Sequence, residues 1–86
     1  MKSLKIGVLG LGYVGLPITV AFAKKFVVVG YDIDKDRVNQ LNKATDKTNE
    51  ISERDLKKTK AKFTSKLNDL EDCNFFIYII YDLSRK

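Results

Sequence analysis

Three glycines and one carboxylate carry the clearest chemical implication in this chain. Gly10-Leu11-Gly12-Tyr13-Val14-Gly15 has the spacing G-x-G-x-x-G, and Asp32 follows twenty positions after Gly12. A glycine at position 10 permits a tight turn, and one at position 12 lacks the Cβ that would hold the backbone away from a pyrophosphate. One at position 15 lets a helix and a strand pack closely. Asp32 can accept hydrogen bonds from both hydroxyls of a ribose, and its charge repels a 2′-phosphate. Gly10, Leu11, Gly12, Tyr13, Val14, Gly15 and Asp32 therefore suit an adenine dinucleotide, NAD in preference to NADP. The glycine spacing alone occurs often by chance, so its meaning rests on the elements around it.

Those elements follow from hydrophobic patterning. Leu4 to Leu9 is a short apolar run that stops at the glycines, as a strand buried on both faces does. Tyr13 to Lys25 is apolar and small for about a dozen residues, with Pro17 near its start, and reads as a buried helix. Phe26 to Tyr31 is β-rich and ends at Asp32, which closes a strand, helix, strand unit of βαβ length. Asp34 can cap a second helix carrying Val38 and Leu41 and reaching Lys43, followed by a loop over Ala44 to Glu50. Ser52 and Asp55 form a variant capping box that opens a lysine-rich helix to Lys60, anchored by Ile51 and Leu56. Phe63 and Thr64 mark a third strand, Lys66 to Glu71 a turn or two of helix, and Phe75 to Tyr81 an apolar fourth strand. The expected fold class is α/β: a Rossmann-like parallel sheet with helices on its faces, incomplete at about four strands, in the order 3-2-1-4. Residues 1–86 then form the amino-terminal part of one NAD-binding domain.

Other candidates are weaker. Cys73 has no partner cysteine and no histidine to activate it, since the chain contains none, and it is expected to be a small buried residue. No catalytic residue and no metal site are therefore assigned. The carboxylate pairs Asp34 and Asp36, and Glu71 and Asp72, lie in a helix start and a loop without an apolar pocket. Arg37 sits on the helix after Asp32, near where an adenine would rest, and is counted with the cofactor-binding set. It could stack on the base, admit a 2′-phosphate if Asp32 swung away, or serve as a plain surface arginine.

Composition sets the outer limits. With 44% hydrophobic and 31% charged residues the chain is that of an ordinary globular protein, and its formal charge is +5. Lys57, Lys58, Lys60 and Lys62 lack the interleaved aromatics of a base-stacking surface, so nucleic acid is not an expected partner. No stretch approaches the ~20 apolar residues of a membrane span. A single cysteine fits a reducing cytoplasm.

The segment Lys5 to Pro17, with its Gly-Tyr-Val-Gly-Leu-Pro core, resembles the opening of the UDP-glucose/GDP-mannose dehydrogenases. The likeness continues through Ala21-Phe22-Ala23, Val29 to Asp34, Arg37-Val38 and Leu41-Asn42, and more loosely to Ile80. The loop holding Asp46, Thr48 and Glu50 looks most like members acting on UDP-N-acetylhexosamines. The resemblance implies NAD as cofactor and oxidation of a sugar C6 alcohol to a carboxylate for polysaccharide biosynthesis, with a UDP-sugar bound only in a full-length enzyme. It also implies that Tyr81 to Lys86 depart from the family's Val-Pro-Thr-Pro turn, and that the chain is a truncation lacking the catalytic and sugar-binding parts. The alternative is a non-catalytic dinucleotide-binding or subunit-interaction module. With further strands absent, Phe75 to Tyr81 would form an open apolar edge, and a homo-oligomer through that strand is expected.

Overall fold

The computed structural model describes residues 4–79. Its elements in chain order are β1 (Lys5–Leu9), α1 (Gly15–Phe22), β2 (Val27–Tyr31), α2 (Lys35–Asn42), α3 (Glu53–Lys58), β3 (Lys62–Thr64), a short 3-10 turn (Leu67–Leu70) and β4 (Phe75–Tyr78). The four strands form one parallel sheet in the order β3-β2-β1-β4, as the pattern predicts. The predicted continuation of β4 through Ile80 and Tyr81 lies outside the described residues.

β1 has a neighbour on each side: Val8 aligns with Gly30 of β2 and with Ile77 of β4. Ile6, Gly7 and Val8 are accordingly buried. Side chains of aligned residues in a parallel sheet share a face, and Ile6, Val8 and Val28 pack with Ala23 from the end of α1. Leu16 and Val20 of α1 join Val38 and Leu41 of α2, Leu56 of α3 and Phe63 of β3 in a second cluster. Each such aliphatic side chain taken out of water contributes ~1.5–3 kcal/mol.

The opposite face is thinly covered. A Cβ added at Gly7 would meet the Phe76 ring at 3.0 Å and Leu70 at 3.1 Å, so the Leu67–Leu70 turn rests there. Val27, Phe76 and Tyr78 are nonetheless 56%, 43% and 70% exposed.

Local chemistry accounts for the helix limits. Asp34 Oδ1 accepts the amides of Asp36 and Arg37 at 3.0 and 3.2 Å, and Ser52 Oγ accepts that of Asp55 at 3.1 Å, which starts α2 and α3 as expected. α1 ends earlier than the reading to Lys25. The Lys24 and Lys25 amides bond the carbonyls of Ala21 and Phe22, three residues back, and this tightens the chain into a turn before β2. Lys57, Lys58, Lys60 and Lys62 are solvated. Among the described residues no helix is long and apolar enough to cross a membrane.

Candidate dinucleotide site

The glycine turn leaves the carboxy-terminal end of β1 and enters α1. Gly10 closes the strand at φ +114°, a conformation that strains any side chain, and its amide donates to the Tyr31 carbonyl at 2.8 Å. Leu11 then turns fully inward. Its side chain fills a notch that exists because residue 30 is glycine: a Cβ there would come within 2.7 Å of Leu11 Cδ2.

The two remaining glycines do different work. A Cβ at Gly15 would lie 1.6 Å from the Gly10 carbonyl oxygen, so α1 can begin against the turn only without one. A Cβ at Gly12 would meet nothing within 4 Å. The space over Gly12 is open, as a cradle for a bulky anion must be. Val14 precedes α1 and no side chain caps this helix, whereas α2 and α3 each carry a capping oxygen. No acidic residue stands in the first turn of α1 either, so the positive end of its dipole is left for another anion. Tyr13 and Val14 are exposed at the rim.

Asp32 follows β2 directly. Its Oδ2 accepts the Leu11 amide and its Oδ1 the Asp34 amide, both at 2.9 Å. Two backbone contacts fix the carboxylate beside the turn, and each oxygen keeps a further lone pair for a hydroxyl donor. The turn and Asp32, assigned from spacing, are thus brought together by the fold.

Arg37 is placed differently from a stacking or surface residue. Its Nε donates to the Leu11 carbonyl at 2.8 Å, and its Nη1 pairs with Asp46 Oδ1 at 2.7 Å. Its side chain is 10% exposed and that of Asp46 is fully buried. Nη2 is buried and has no partner among the described residues. Asp46 Oδ1 also accepts the Thr48 amide and hydroxyl at 2.9 and 2.6 Å, and its Oδ2 accepts the amides of Glu50 and Ile51 at 2.7 and 2.9 Å. Burial by itself would raise this carboxyl's pKa. The bonds from the Thr48 and Arg37 side chains and the Ile51 and Thr48 amides outweigh it and hold Asp46 well below the usual carboxylate range. Sequence reasoning passed over the role of Asp46. The available signal was Asp46-Lys47-Thr48, an aspartate two residues ahead of a hydrogen-bonding donor, which is an Asx-turn pattern.

Cys73 is half-buried just before β4, less enclosed than predicted. Burial and the neighbouring Asp72 raise its pKa against a smaller opposing effect of Lys5, so the thiol is not activated as a nucleophile. Among the described residues no cluster of three His, Cys, Asp or Glu side chains stands ready for a metal ion. A cavity of about 420 Å³ opens between α1 and α3, walled by Pro17, Val20, Ala23, Ile51, Lys58 and Lys60. It includes none of residues 10–15, and volume alone does not mark the site.

Comparison with known proteins agrees with this geometry. Over 81 residues the chain is 47% identical to a UDP-N-acetyl-D-glucosamine 6-dehydrogenase of Pseudomonas aeruginosa, covering 93% of this chain and 19% of that protein. A UDP-N-acetyl-D-glucosamine 6-dehydrogenase of Salmonella typhi is 41% identical over 81 residues, with the same coverage. The chain thus spans about a fifth of the length of these relatives. Among solved structures, a 3-hydroxyacyl-CoA dehydrogenase of Archaeoglobus fulgidus superposes with a TM-score of 0.66 at 27% identity, over 94% of this chain and 26% of that one. Residues 4–77 match the NAD binding domain of the UDP-glucose/GDP-mannose dehydrogenase family, and the chain belongs to that family.

Proposed function

We propose that Gly10, Leu11, Gly12, Tyr13, Val14 and Gly15 hold the pyrophosphate of NAD, with Asp32 accepting from the adenosine ribose, and that residues 1–86 serve as the amino-terminal part of the cofactor domain of a UDP-N-acetylhexosamine 6-dehydrogenase. The observation that carries this reading is the open space over Gly12 beside an uncapped helix start, with Asp32 fixed one peptide away. NAD supplies the hydride acceptor for oxidation of a sugar C6 alcohol. The chain's own contribution is to bind and orient the adenosine and pyrophosphate end and to exclude a 2′-phosphate by the charge of Asp32. The working compartment on this reading is the cytoplasm.

Titrating the isotope-labelled 86-residue chain with NAD and NADP tests the proposal. NAD should shift the amide resonances of residues 10–15 and 32, with a Kd in the high micromolar to millimolar range because only one end of the cofactor is contacted. Equal or tighter binding of NADP would reject the role given to Asp32.

The exposed strand supports a second element of the reading, a homo-oligomer. Among the described residues β4 is paired on one side only, and Phe75, Phe76 and Tyr78 leave it apolar on both faces. Two copies joined along β4 about a two-fold axis would satisfy the outer backbone groups and cover these rings.

A further inference from the structure

We infer that Asp46 is a specificity-determining residue: by locking the Arg37 guanidinium against the Leu11 carbonyl, it keeps a mobile positive charge away from the ribose and so preserves the preference for NAD over NADP. The inference rests on the dinucleotide site proposed above and concerns a residue outside it.

The geometry is a chain of three contacts. Asp32, the carboxylate that faces the ribose on this reading, holds the amide of Leu11, while Arg37 holds the carbonyl of the same residue. The guanidinium therefore sits within one residue of the position where a 2′-phosphate would arrive. An arginine free to turn there would offer a forked, charge-assisted pairing to that phosphate and offset the repulsion from Asp32. It is not free: Nε and Nη1 are both committed, at 2.8 and 2.7 Å, and Nη1 is neutralised by a fully buried carboxylate. Asp46 is in turn immobilised by Thr48, Glu50 and Ile51, so the lock does not swing with the ligand. Nη2, buried and unpartnered among the described residues, is the donor such a guanidinium would have to spare.

The test compares NAD and NADP affinities in the wild-type chain, Asp46→Asn, Arg37→Lys, and the double variant Asp46→Asn with Arg37→Gln, each with its fold checked by circular dichroism. Asp46→Asn keeps the size of the side chain and removes its charge, and should raise the ratio of NADP to NAD affinity about tenfold, the scale of one charge-assisted contact. Arg37→Lys keeps the positive charge but cannot bridge both acceptors, and should shift the ratio the same way by a smaller factor. The double variant should return to the wild-type ratio, because the charge that was released is gone. A purely structural role would weaken both cofactors together and leave the ratio unchanged. An unchanged ratio in Asp46→Asn, or in Arg37→Lys should the first variant not fold, overturns the inference while leaving the NAD site intact. A wild-type chain that binds neither cofactor overturns the site itself, and the inference with it.

Discussion

Gly12 and Gly15 are separable by one methyl group, which makes them the sharpest probe of the proposed site. At Gly12 an alanine Cβ would have nothing within 4 Å, and the backbone there is not in the left-handed region. Gly12→Ala should leave the fold intact and stabilise it by about 0.4–1 kcal/mol through the reduced freedom of the unfolded chain. The same methyl would occupy the space the pyrophosphate needs, so NAD affinity should fall at least about tenfold, or ~1.4 kcal/mol. At Gly15 the methyl would sit 1.6 Å from the Gly10 carbonyl oxygen, well inside the 3.0 Å that Cβ atoms keep. The obstacle is backbone held by its own bond to Tyr31, so the turn and the start of α1 must separate. A destabilisation of about 3 kcal/mol or more follows, which for a domain of this size lowers Tm by more than roughly 12 °C. Thermal melts followed by circular dichroism, paired with NAD titrations, read both effects. NAD binding unchanged in Gly12→Ala would refute the cradle, and an unchanged melt in Gly15→Ala would refute the packing that places it.

Three further outcomes are expected. Because the Asp46 carboxyl is held below its ordinary value of 3.8, its stabilising contribution is present above that pH and is lost as the pH falls toward the folded pKa; Asp46→Asn should flatten the loss of stability below about pH 4 and cost about 2–3 kcal/mol at neutral pH, and an acid-unfolding curve parallel to the wild type would contradict this. With one unactivated cysteine and no histidine, the 86-residue chain should form no NADH from NAD and UDP-N-acetylglucosamine, measured by NADH fluorescence, and turnover abolished by Cys73→Ser would prove that wrong. Light scattering at micromolar concentration should report a dimer or larger species that Tyr78→Lys dissociates, and a monomeric wild type would remove β4 as an interface.

The parts of the fold written in short-range pattern were legible from sequence. Apolar runs bounded by glycines marked β1 and β2, and Asp34 and Ser52 announced α2 and α3 because capping is a contact between near neighbours. The strand order followed from the glycine turn, whose geometry belongs to one kind of sheet. Long-range polar contacts were not legible. Arg37 and Asp46 are nine positions apart with a helix end and a turn between them, and no periodicity records that their side chains meet. The end of α1 was overestimated for a related reason: Ala23-Lys24-Lys25 have helical composition, but the decision to turn there is made by the need of Val27 to pair with Lys5. Cys73 was expected inside because cysteine usually is, whereas the thin cover on its side of the sheet leaves it half-buried.

The central position of β1 has a consequence for how the chain comes into being. The strand made first is the one that needs neighbours on both sides, and they are completed at very different times. β2 and β3 can join one edge early, while the other edge waits for Asn74, 69 residues beyond Lys5, whose side chain accepts the Lys5 amide and whose own amide donates to the Lys5 carbonyl at 2.9 Å. Closing so long a loop is slow relative to the local βαβ unit. The nascent chain should therefore pass through a three-stranded stage in which Ile6 and Val8 present a bare edge, and pulse-labelling during refolding would find the α1 and β2 amides protected before that of Ile79, which bonds the Leu9 carbonyl only when β4 arrives.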